Sequence, residues 1–206
     1  ASLQPDLTEM QVADQMETQI RLFGGACTSF PPIIAVGPRA ALPHARPGRP
    51  KIGEDDFVLI DWGARFDGYA SDLTRVLVTG KISAKLRKVH AVVKAAQEKA
   101  IAKIRHGVKM NVVDAAARGH ITKSGFGKQF GHGLGHGIGL QIHESPRMGP
   151  KEDAELKAGM VVTVEPGVYI PGWGGVRLED DVLVTRTGAT ILSSVTKELD
   201  ECVVGG

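Results

Sequence analysis

Residues 57–78 read FVLIDWGARFDGYASDLTRVLV. Apolar and β-branched residues dominate both ends of this stretch, and Asp67-Gly68 stands at its centre. An Asp-Gly pair favours a two-residue type I′ turn, because both turn positions need positive φ angles. The stretch therefore predicts a β-hairpin, and its register is set by the turn.

The predicted hairpin carries two aspartates on one face of the sheet. Its register places Asp72 opposite Gly63, and Asp61 lies two residues from Gly63, so the two acids are diagonal neighbours about 7–8 Å apart at the backbone. Both stand among apolar residues. Close carboxylates in such a setting repel each other and resist ionisation unless a cation is present.

A second hairpin near the C-terminus repeats this arrangement. VVTVEPG ends one predicted strand, GVRLEDDVLV begins another, and a wide turn at 171–175 joins them. Pairing about residue 172 sets Glu165 opposite Glu179. One such acid alone is more often exposed or hydrogen-bonded than functional, but four acids inside apolar strands favour a shared site. Two divalent cations would balance the four negative charges, and two-metal sites of this kind activate water for hydrolysis.

The stretch GHGLGHGIGLQIHESP at 131–146 holds three of the seven histidines. It does not match the dinucleotide-binding pattern G-x-G-x-x-G, because position 138 is Ile138. It does not match the zinc-peptidase pattern H-E-x-x-H either, because Arg147 replaces the second histidine and Pro146 interrupts a helix. The glycines favour an extended or looped segment. One of its histidines would complete the ligand set begun by the four acids.

Helical spacing of apolar residues predicts three helices: residues 8–23, residues 82–105, and a third that Asn111 caps. Thr8 is the predicted N-cap of the first helix. A short strand is predicted at 33–36, and the part of the chain after residue 130 is predicted to be β-rich. These elements together predict one α+β domain, in which helices pack on a curved antiparallel sheet.

Composition excludes several function classes for this sequence. The 206 residues are 42% hydrophobic and 23% charged, with a formal net charge of +2, which gives no sign of a polyanionic partner. The basic face of the helix at 82–105 lacks aromatic residues, so we expect no nucleic-acid partner. Neither a long apolar run nor a signal peptide is present, so we expect no membrane partner. Two isolated cysteines favour a cytoplasmic location.

These motifs resemble those of the metal-dependent peptidases with the pita-bread fold, which include methionine aminopeptidase, aminopeptidase P and prolidase. The resemblance rests on four stretches in family order: DWGARFDGYASD (61–72), GHGLGHGIGLQIHESP (131–146), TVEPGVYI (163–170) and GVRLEDD (175–181). It spans most of the chain. It implies the pita-bread form of the α+β fold, with residues 1–206 as a metallopeptidase catalytic domain.

The resemblance also implies a set of five metal ligands, which are Asp61, Asp72, His136, Glu165 and Glu179. Asp72 and Glu179 would bridge two divalent metal ions. Asp61 would complete the coordination of one ion, and His136 with Glu165 that of the other. Such a set suits Mn²⁺, while Co²⁺, Zn²⁺ and Fe²⁺ also accept it. In such enzymes a hydroxide that bridges the metals attacks the scissile carbonyl, and Glu165 holds the general-base position.

Further residues resemble positions that act on the substrate. His143 resembles the histidine that stabilises the tetrahedral intermediate, and His44, in ALPHARPG, resembles the histidine that contacts the substrate near the scissile bond. His132 matches an extra histidine of the proline-directed branch, with a purely structural hydrogen bond as an equal alternative. Arg177 matches a position just outside the ligands in that branch and is assigned to substrate binding. Tyr169 is left open between the pocket and the core.

The PHARPG context and the two-histidine GHGLGHG element favour Xaa-Pro peptidases over methionine aminopeptidase. The expected reaction is hydrolysis of the bond between an N-terminal residue and proline in short peptides. Dipeptidase and aminopeptidase activities are not separated by these residues. Two alternatives stay open: a methionine aminopeptidase, and a non-catalytic pita-bread module that binds peptide or protein.

The chain departs from the family pattern at its start. Proline-directed members carry an N-terminal domain and a first catalytic-domain helix before the position that matches LQPDLTE. We therefore expect both to be absent from this chain. Because uncovered apolar sheet surface favours association, we expect a homo-oligomer or association with the missing N-terminal part.

Overall fold

A computed structural model describes residues 3–204, which form three α-helices and a set of small antiparallel sheets. The helices are α1 (Glu9–Leu22), α2 (Ala84–Ile101) and α3 (Met110–Lys123). The strands are β1 (Cys27–Thr28), β2 (Ile33–Val36), β3 (Phe57–Trp62), β4 (Ala64–Phe66), β5 (Tyr69–Ala70), β6 (Leu73–Val78), β7 (Gly135–Gly137), β8 (Glu144–Met148), β9 (Val161–Val164), β10 (Gly167–Ile170), β11 (Gly174–Arg177), β12 (Asp180–Val184) and β13 (Ala189–Ile191). The sheets have the orders β1-β4-β5, β2-β3-β6, β13-β12-β9-β7-β8 and β10-β11. This mixture confirms the predicted α+β class.

The first hairpin forms in the predicted register. β3 pairs with β6 so that Asp61 faces Thr74, and β4 pairs with β5 across the turn. The turn residues Asp67 and Gly68 have φ angles of 48° and 84°, both positive as a type I′ turn requires. The hairpin therefore holds Asp61 and Asp72 at the junctions between its two strand pairs.

The second acid-bearing hairpin also follows its predicted register. β9 pairs with β12, and β10 pairs with β11. Glu165 and Glu179 lie at facing positions between these two strand pairs. The turn is tighter than the one predicted at 171–175, because β11 begins at Gly174 and leaves residues 171–173 as the loop.

Thr8 caps α1 as predicted. Its hydroxyl accepts a hydrogen bond from the Gln11 backbone N–H, while the Gln11 side chain accepts one from the Thr8 N–H, a reciprocal pair that satisfies two free donors. The second helix is shorter than the predicted 82–105 and begins after Ser83, whose hydroxyl caps it. No helix between residues 3 and 204 is long and apolar enough to cross a membrane.

The predicted cap of α3 is wrong. The helix begins at Met110, and Lys109 holds the cap position without a side-chain hydrogen bond. The Met110 and Asn111 N–H groups instead donate to the backbone carbonyls of Ala154 and Glu152, at 3.0 and 2.8 Å. Because a distant loop satisfies these donors, the helix needs no side-chain cap.

Two buried apolar clusters fix the sheets against the helices. The larger cluster joins α2 and α3 to the strands and includes Leu59 and Val93. The smaller joins α1 to β2 and β3 and includes Val12 and Ile60. Since successive side chains of a strand point to opposite faces, β3 is buried on both sides, and Asp61 shares the face of Leu59.

Arg75 on β6 joins the two acid-bearing hairpins behind the face that carries the acids. Its side chain is 1% exposed. Its guanidinium donates to the backbone carbonyl of Glu179 at 2.6 Å, to Asp180 Oδ1 at 2.7 Å and to the carbonyl of Thr196 at 3.0 Å. One buried cation thus fixes β6 to β12 and to the C-terminal segment.

Arg75→Met is expected to lower the free energy of unfolding by about 1.5–3 kcal/mol, because it removes a charged donor from the buried Asp180 carboxylate, which keeps its ion pair with Lys197. Arg87→Met is the matched control, since the Arg87–Asp200 pair is more than half exposed, and it should leave the free energy of unfolding close to that of the wild type. Urea unfolding followed by circular dichroism measures both. An equal decrease in the free energy of unfolding in both variants would contradict the role of Arg75 in fixing β6 to β12.

Candidate metal centre

The nine residues assigned from sequence to catalysis, metal binding or substrate binding all lie around one cavity of about 600 Å³. They are His44, Asp61, Asp72, His132, His136, His143, Glu165, Arg177 and Glu179. Tyr169 lines the same cavity. A second cavity, of about 750 Å³, touches Asp72 and contains none of the other eight. The first cavity is therefore where the chemistry of these side chains can combine.

Strand ends bring the four acids to this cavity. Asp61 is the last residue but one of β3, and Asp72 directly precedes β6. Glu165 directly follows β9, and Glu179 directly precedes β12. His136 comes from β7, the neighbour of β9 in the five-stranded sheet. The segment around His136 is thus extended, as its glycines predicted.

The glycines beside His136 have a packing reason. A Cβ atom at Gly135 would lie 2.0 Å from the Thr163 carbonyl oxygen, and one at Gly137 would lie 2.5 Å from the Ser145 carbonyl oxygen. Both distances are far below van der Waals contact, so neither position has room for a side chain. The bare backbone lets β7 lie close between β8 and β9 while His136 faces the cavity.

Three side chains form a compact group that could hold a metal ion. Asp72, His136 and Glu179 each offer one ligand atom within 4.8 Å of the others. His136 Nε2 lies 3.7 Å from Asp72 Oδ2 and 3.5 Å from Glu165 Oε1. Its Nδ1 lies 3.0 Å from the Gly137 carbonyl oxygen, to which a protonated Nδ1 donates. That bond leaves the Nε2 lone pair directed toward the carboxylates, as a metal-binding imidazole requires.

The acids suppress one another's ionisation. Burial, together with the charges of Asp61 and Glu165, raises the pKa of Asp72 to about 10. Burial also raises the pKa of Glu165 to about 8. Burial and the charge of Asp72 raise the pKa of Glu179 well above its usual range. Burial lowers the pKa of His136 and so favours its neutral form.

These residues fit a divalent cation. Asp61 Oδ1 is buried and has no hydrogen-bond partner, a costly state for a carboxylate oxygen unless a cation binds it. Carboxylate oxygens with one imidazole nitrogen are a donor set that divalent first-row metals accept. A bound cation would also favour the charged form of every acid in the group.

Arg177 orients two of the acids. It is buried, and its Nη2 donates to Asp61 Oδ2 at 2.5 Å. Its Nε donates to Thr74 Oγ1 at 3.1 Å, and the Thr74 hydroxyl donates to Glu179 Oε2 at 2.5 Å. The guanidinium therefore holds Asp61 directly and Glu179 through Thr74. Sequence reasoning missed Thr74, although the hairpin register that sets it opposite Asp61 points to it.

Tyr169 belongs to both the cavity wall and the core. Its hydroxyl accepts a hydrogen bond from Arg177 Nη1 at 2.8 Å and lies 2.9 Å from His132 Nε2. His132 Nδ1 lies 2.8 Å from the Gly133 carbonyl oxygen and must carry a proton to bond to it. The Tyr169 O–H therefore donates to His132 Nε2. His132 thus makes structural hydrogen bonds while it lines the cavity.

The other two histidines of the cavity wall, His44 and His143, are exposed. The His143 ring packs edge-on against His136, with the ring centroids 4.5 Å apart. His44 lies in the segment that follows the short 3₁₀ helix Gly37–Ala41. Both imidazoles can therefore contact a molecule that enters the cavity.

Known proteins are similar to this chain in both sequence and fold. The model of metallopeptidase family M24 matches residues 1–186, so the chain belongs to this family. The Xaa-Pro dipeptidase of Pyrococcus furiosus is 42% identical over 191 residues, which are 93% of this chain and 55% of that protein. The uncharacterized peptidase YqhT of Bacillus subtilis is 42% identical over 197 residues, 96% of this chain and 56% of that protein. The chain thus spans about half the length of the curated relatives it matches.

Solved structures give the same result. An X-Pro aminopeptidase from Thermotoga maritima superposes with a TM-score of 0.94 at 37% identity, over 98% of this chain and 56% of that one. The prolidase from Pyrococcus furiosus superposes with a TM-score of 0.91 at 41% identity, over 93% of this chain and 57% of that one. The expected pita-bread fold is confirmed.

His132 is expected to stay neutral, with its proton on Nδ1, down to about pH 5. Burial, together with the positive charge of Arg177, lowers its pKa to about 4. Nitrogen-15 NMR of histidine-labelled protein reports both the tautomer and the titration. In Tyr169→Phe the pKa of His132 should rise, because the variant lacks the hydroxyl that donates to neutral Nε2. Titration of wild-type His132 near its ordinary pKa would contradict this hydrogen-bond arrangement.

Proposed function

We propose that this chain is a metallopeptidase catalytic domain that hydrolyses the bond between an N-terminal residue and proline in short peptides. The observation that carries the proposal is the convergence of four acids, three of them buried, and His136 on one cavity. Membership of a metallopeptidase family supports it, as do relatives described as Xaa-Pro dipeptidases and an X-Pro aminopeptidase.

Two divalent metal ions would be held by Asp61, Asp72, His136, Glu165 and Glu179, with Asp72 and Glu179 shared between them. Bound ions of this kind polarise a carbonyl group and make water nucleophilic at neutral pH. Oxygen-rich coordination favours Mn²⁺ among the metals that accept this set.

The chain's own residues would handle the substrate and its protons. Glu165 lines the cavity, and its Oε1 accepts a hydrogen bond from the Thr163 hydroxyl at 3.3 Å, which orients the carboxylate. We assign Glu165 as the general base that takes a proton from the attacking water. The proline nitrogen carries no hydrogen in the peptide, so it must gain a proton when it leaves. Glu165 can return the proton to that nitrogen.

The exposed histidines would bind the substrate around the scissile bond. His143 stands beside His136, where a donated hydrogen bond can stabilise negative charge on the former carbonyl oxygen. His44 would contact the substrate on the wall formed by its own loop. His132 and Arg177 would form part of the cavity wall that contacts the substrate. Both are hydrogen-bonded to Tyr169, which keeps them in place.

We place residues 1–206 as one catalytic domain in the cytoplasm, associated as a homo-oligomer or with an N-terminal part. The exposed apolar side chains of Leu22, Phe23 and Phe66, which are 72%, 84% and 58% exposed, support association.

The purified chain with added Mn²⁺ or Co²⁺ is expected to cleave Ala-Pro or Ala-Pro-Ala, as measured by chromatography alongside metal content. Cleavage of the dipeptide identifies a dipeptidase, and cleavage of the tripeptide alone identifies an aminopeptidase. Preferred cleavage of Met-Ala-Ser would show a methionine aminopeptidase instead. Absence of both cleavage and bound metal would favour a non-catalytic binding module.

Asp72→Ala is expected to abolish metal binding and hydrolysis together, because Asp72 is assigned to both metals. The loss of kcat/KM should exceed about 100-fold, the upper range for a residue that only supports a ligand. Mn²⁺ should raise the Tm of the wild-type chain and leave that of the variant unchanged. Asp153→Ala, in an exposed loop, is the control and should match wild type. Turnover retained in Asp72→Ala would remove Asp72 from the ligand set.

A further inference from the structure

Glu9 is a buried acid outside the cavity. It opens α1, and its side chain is fully buried. Within residues 3–204, every hydrogen bond that its carboxylate accepts comes from one short stretch, residues 36–48. That stretch contains His44, so the acid is tied to the segment that forms one wall of the cavity.

The Glu9 carboxylate joins the two ends of this segment. Oε1 accepts from the Val36 N–H at 3.0 Å, and Oε2 accepts from the Gly48 N–H at 2.7 Å. Between them, Arg39 Nε donates to Oε1 at 2.9 Å, and Arg39 Nη2 donates to the Arg46 carbonyl oxygen at 2.6 Å. Hydrogen bonds to an ionised carboxylate are about twice as strong as neutral ones. The segment is therefore closed into a loop around one buried charge.

The other side of the loop rests on β11. A Cβ atom at Gly175 would lie 2.1 Å from the Ala40 carbonyl oxygen, and one at Gly174 would lie 2.7 Å from the Gly37 carbonyl oxygen. The loop backbone thus packs directly on two glycines of the strand that ends at Arg177. Glu9 therefore holds the loop by hydrogen bonds on the side of α1, and the two glycines contact its backbone on the side of β11.

We propose that Glu9 is a positioning residue that sets where His44 stands in the cavity wall. It acts through His44, since it lies outside the cavity and bonds to both ends of the loop that carries this histidine. The inference rests on the proposed function for its effect on turnover, and on the hydrogen bonds alone for its effect on the loop.

The first test is hydrogen exchange of the 206-residue chain, read by mass spectrometry. In Glu9→Gln the amide group keeps one acceptor but turns a donor toward the backbone N–H groups. Amides within residues 37–48 should therefore exchange about 10-fold faster, as expected for the loss of a charge-assisted hydrogen bond. Glu17→Gln is the matched control on the same helix, because its ion pair with Arg21 is half exposed. Unchanged protection of the loop in Glu9→Gln would overturn the proposal.

The second test is a double-mutant cycle with His44→Ala, using Ala-Pro and Ala-Pro-Ala as substrates with metal content checked. Glu9→Gln should lower kcat/KM about 10-fold in the wild-type background and less than about 2-fold in the His44→Ala background, because the two residues act as a unit. The same loss in both backgrounds would show a merely structural role and would overturn the proposal.

If Glu9→Gln does not fold, Arg39→Gln removes the ion pair and keeps the two backbone bonds, and it should show the same pattern at smaller amplitude. If the wild-type chain cleaves neither peptide, the proposed function fails, and hydrogen exchange alone decides whether Glu9 holds the loop.

Discussion

Four carboxylates that share one cavity, three of them buried, are the constraint on which the rest of this structure depends. Within the described residues their nearest fixed positive charge is Arg177, which reaches Asp61 directly and Glu179 only through Thr74. Burial and mutual repulsion raise the pKa values of Asp72 and Glu179. Divalent cations relieve that repulsion. The cluster of acids that destabilises the fold is therefore also the candidate metal centre.

The surrounding structure keeps these acids together. Behind them, Arg75 bonds to the Glu179 backbone and to Asp180, which fixes the first hairpin to the second. Beside them, the glycine-lined β7 brings His136 close to β9 without a side chain between the strands. At the cavity wall, Glu9 and the glycines of β11 hold the loop that carries His44. Each of these contacts involves the backbone or a buried charge, and together they limit how far the acids can move apart.

Much of this arrangement could be predicted because hairpin register is a local property. The Asp67-Gly68 turn sets the pairing of β3 with β6, and side-chain alternation then fixes which acids share a face. The same reasoning placed Glu165 opposite Glu179. The cap of α3 was mispredicted for the opposite reason, since its first N–H groups bond to a loop about forty residues away in sequence, at Glu152 and Ala154.

The sequence by itself determined the three helices, the two hairpin registers and the residue types that resemble a metallopeptidase site. Only the tertiary structure decided which groups support that site. The Asp72 N–H donates to Asp181, Thr74 donates to Glu179, and Arg75 bonds to Asp180, all between residues more than 100 positions apart. Local propensity and periodicity report on neighbours along the chain, whereas these bonds depend on how two separately formed hairpins pack. The bond lengths and burial that make the cluster a candidate metal centre arise only from that packing.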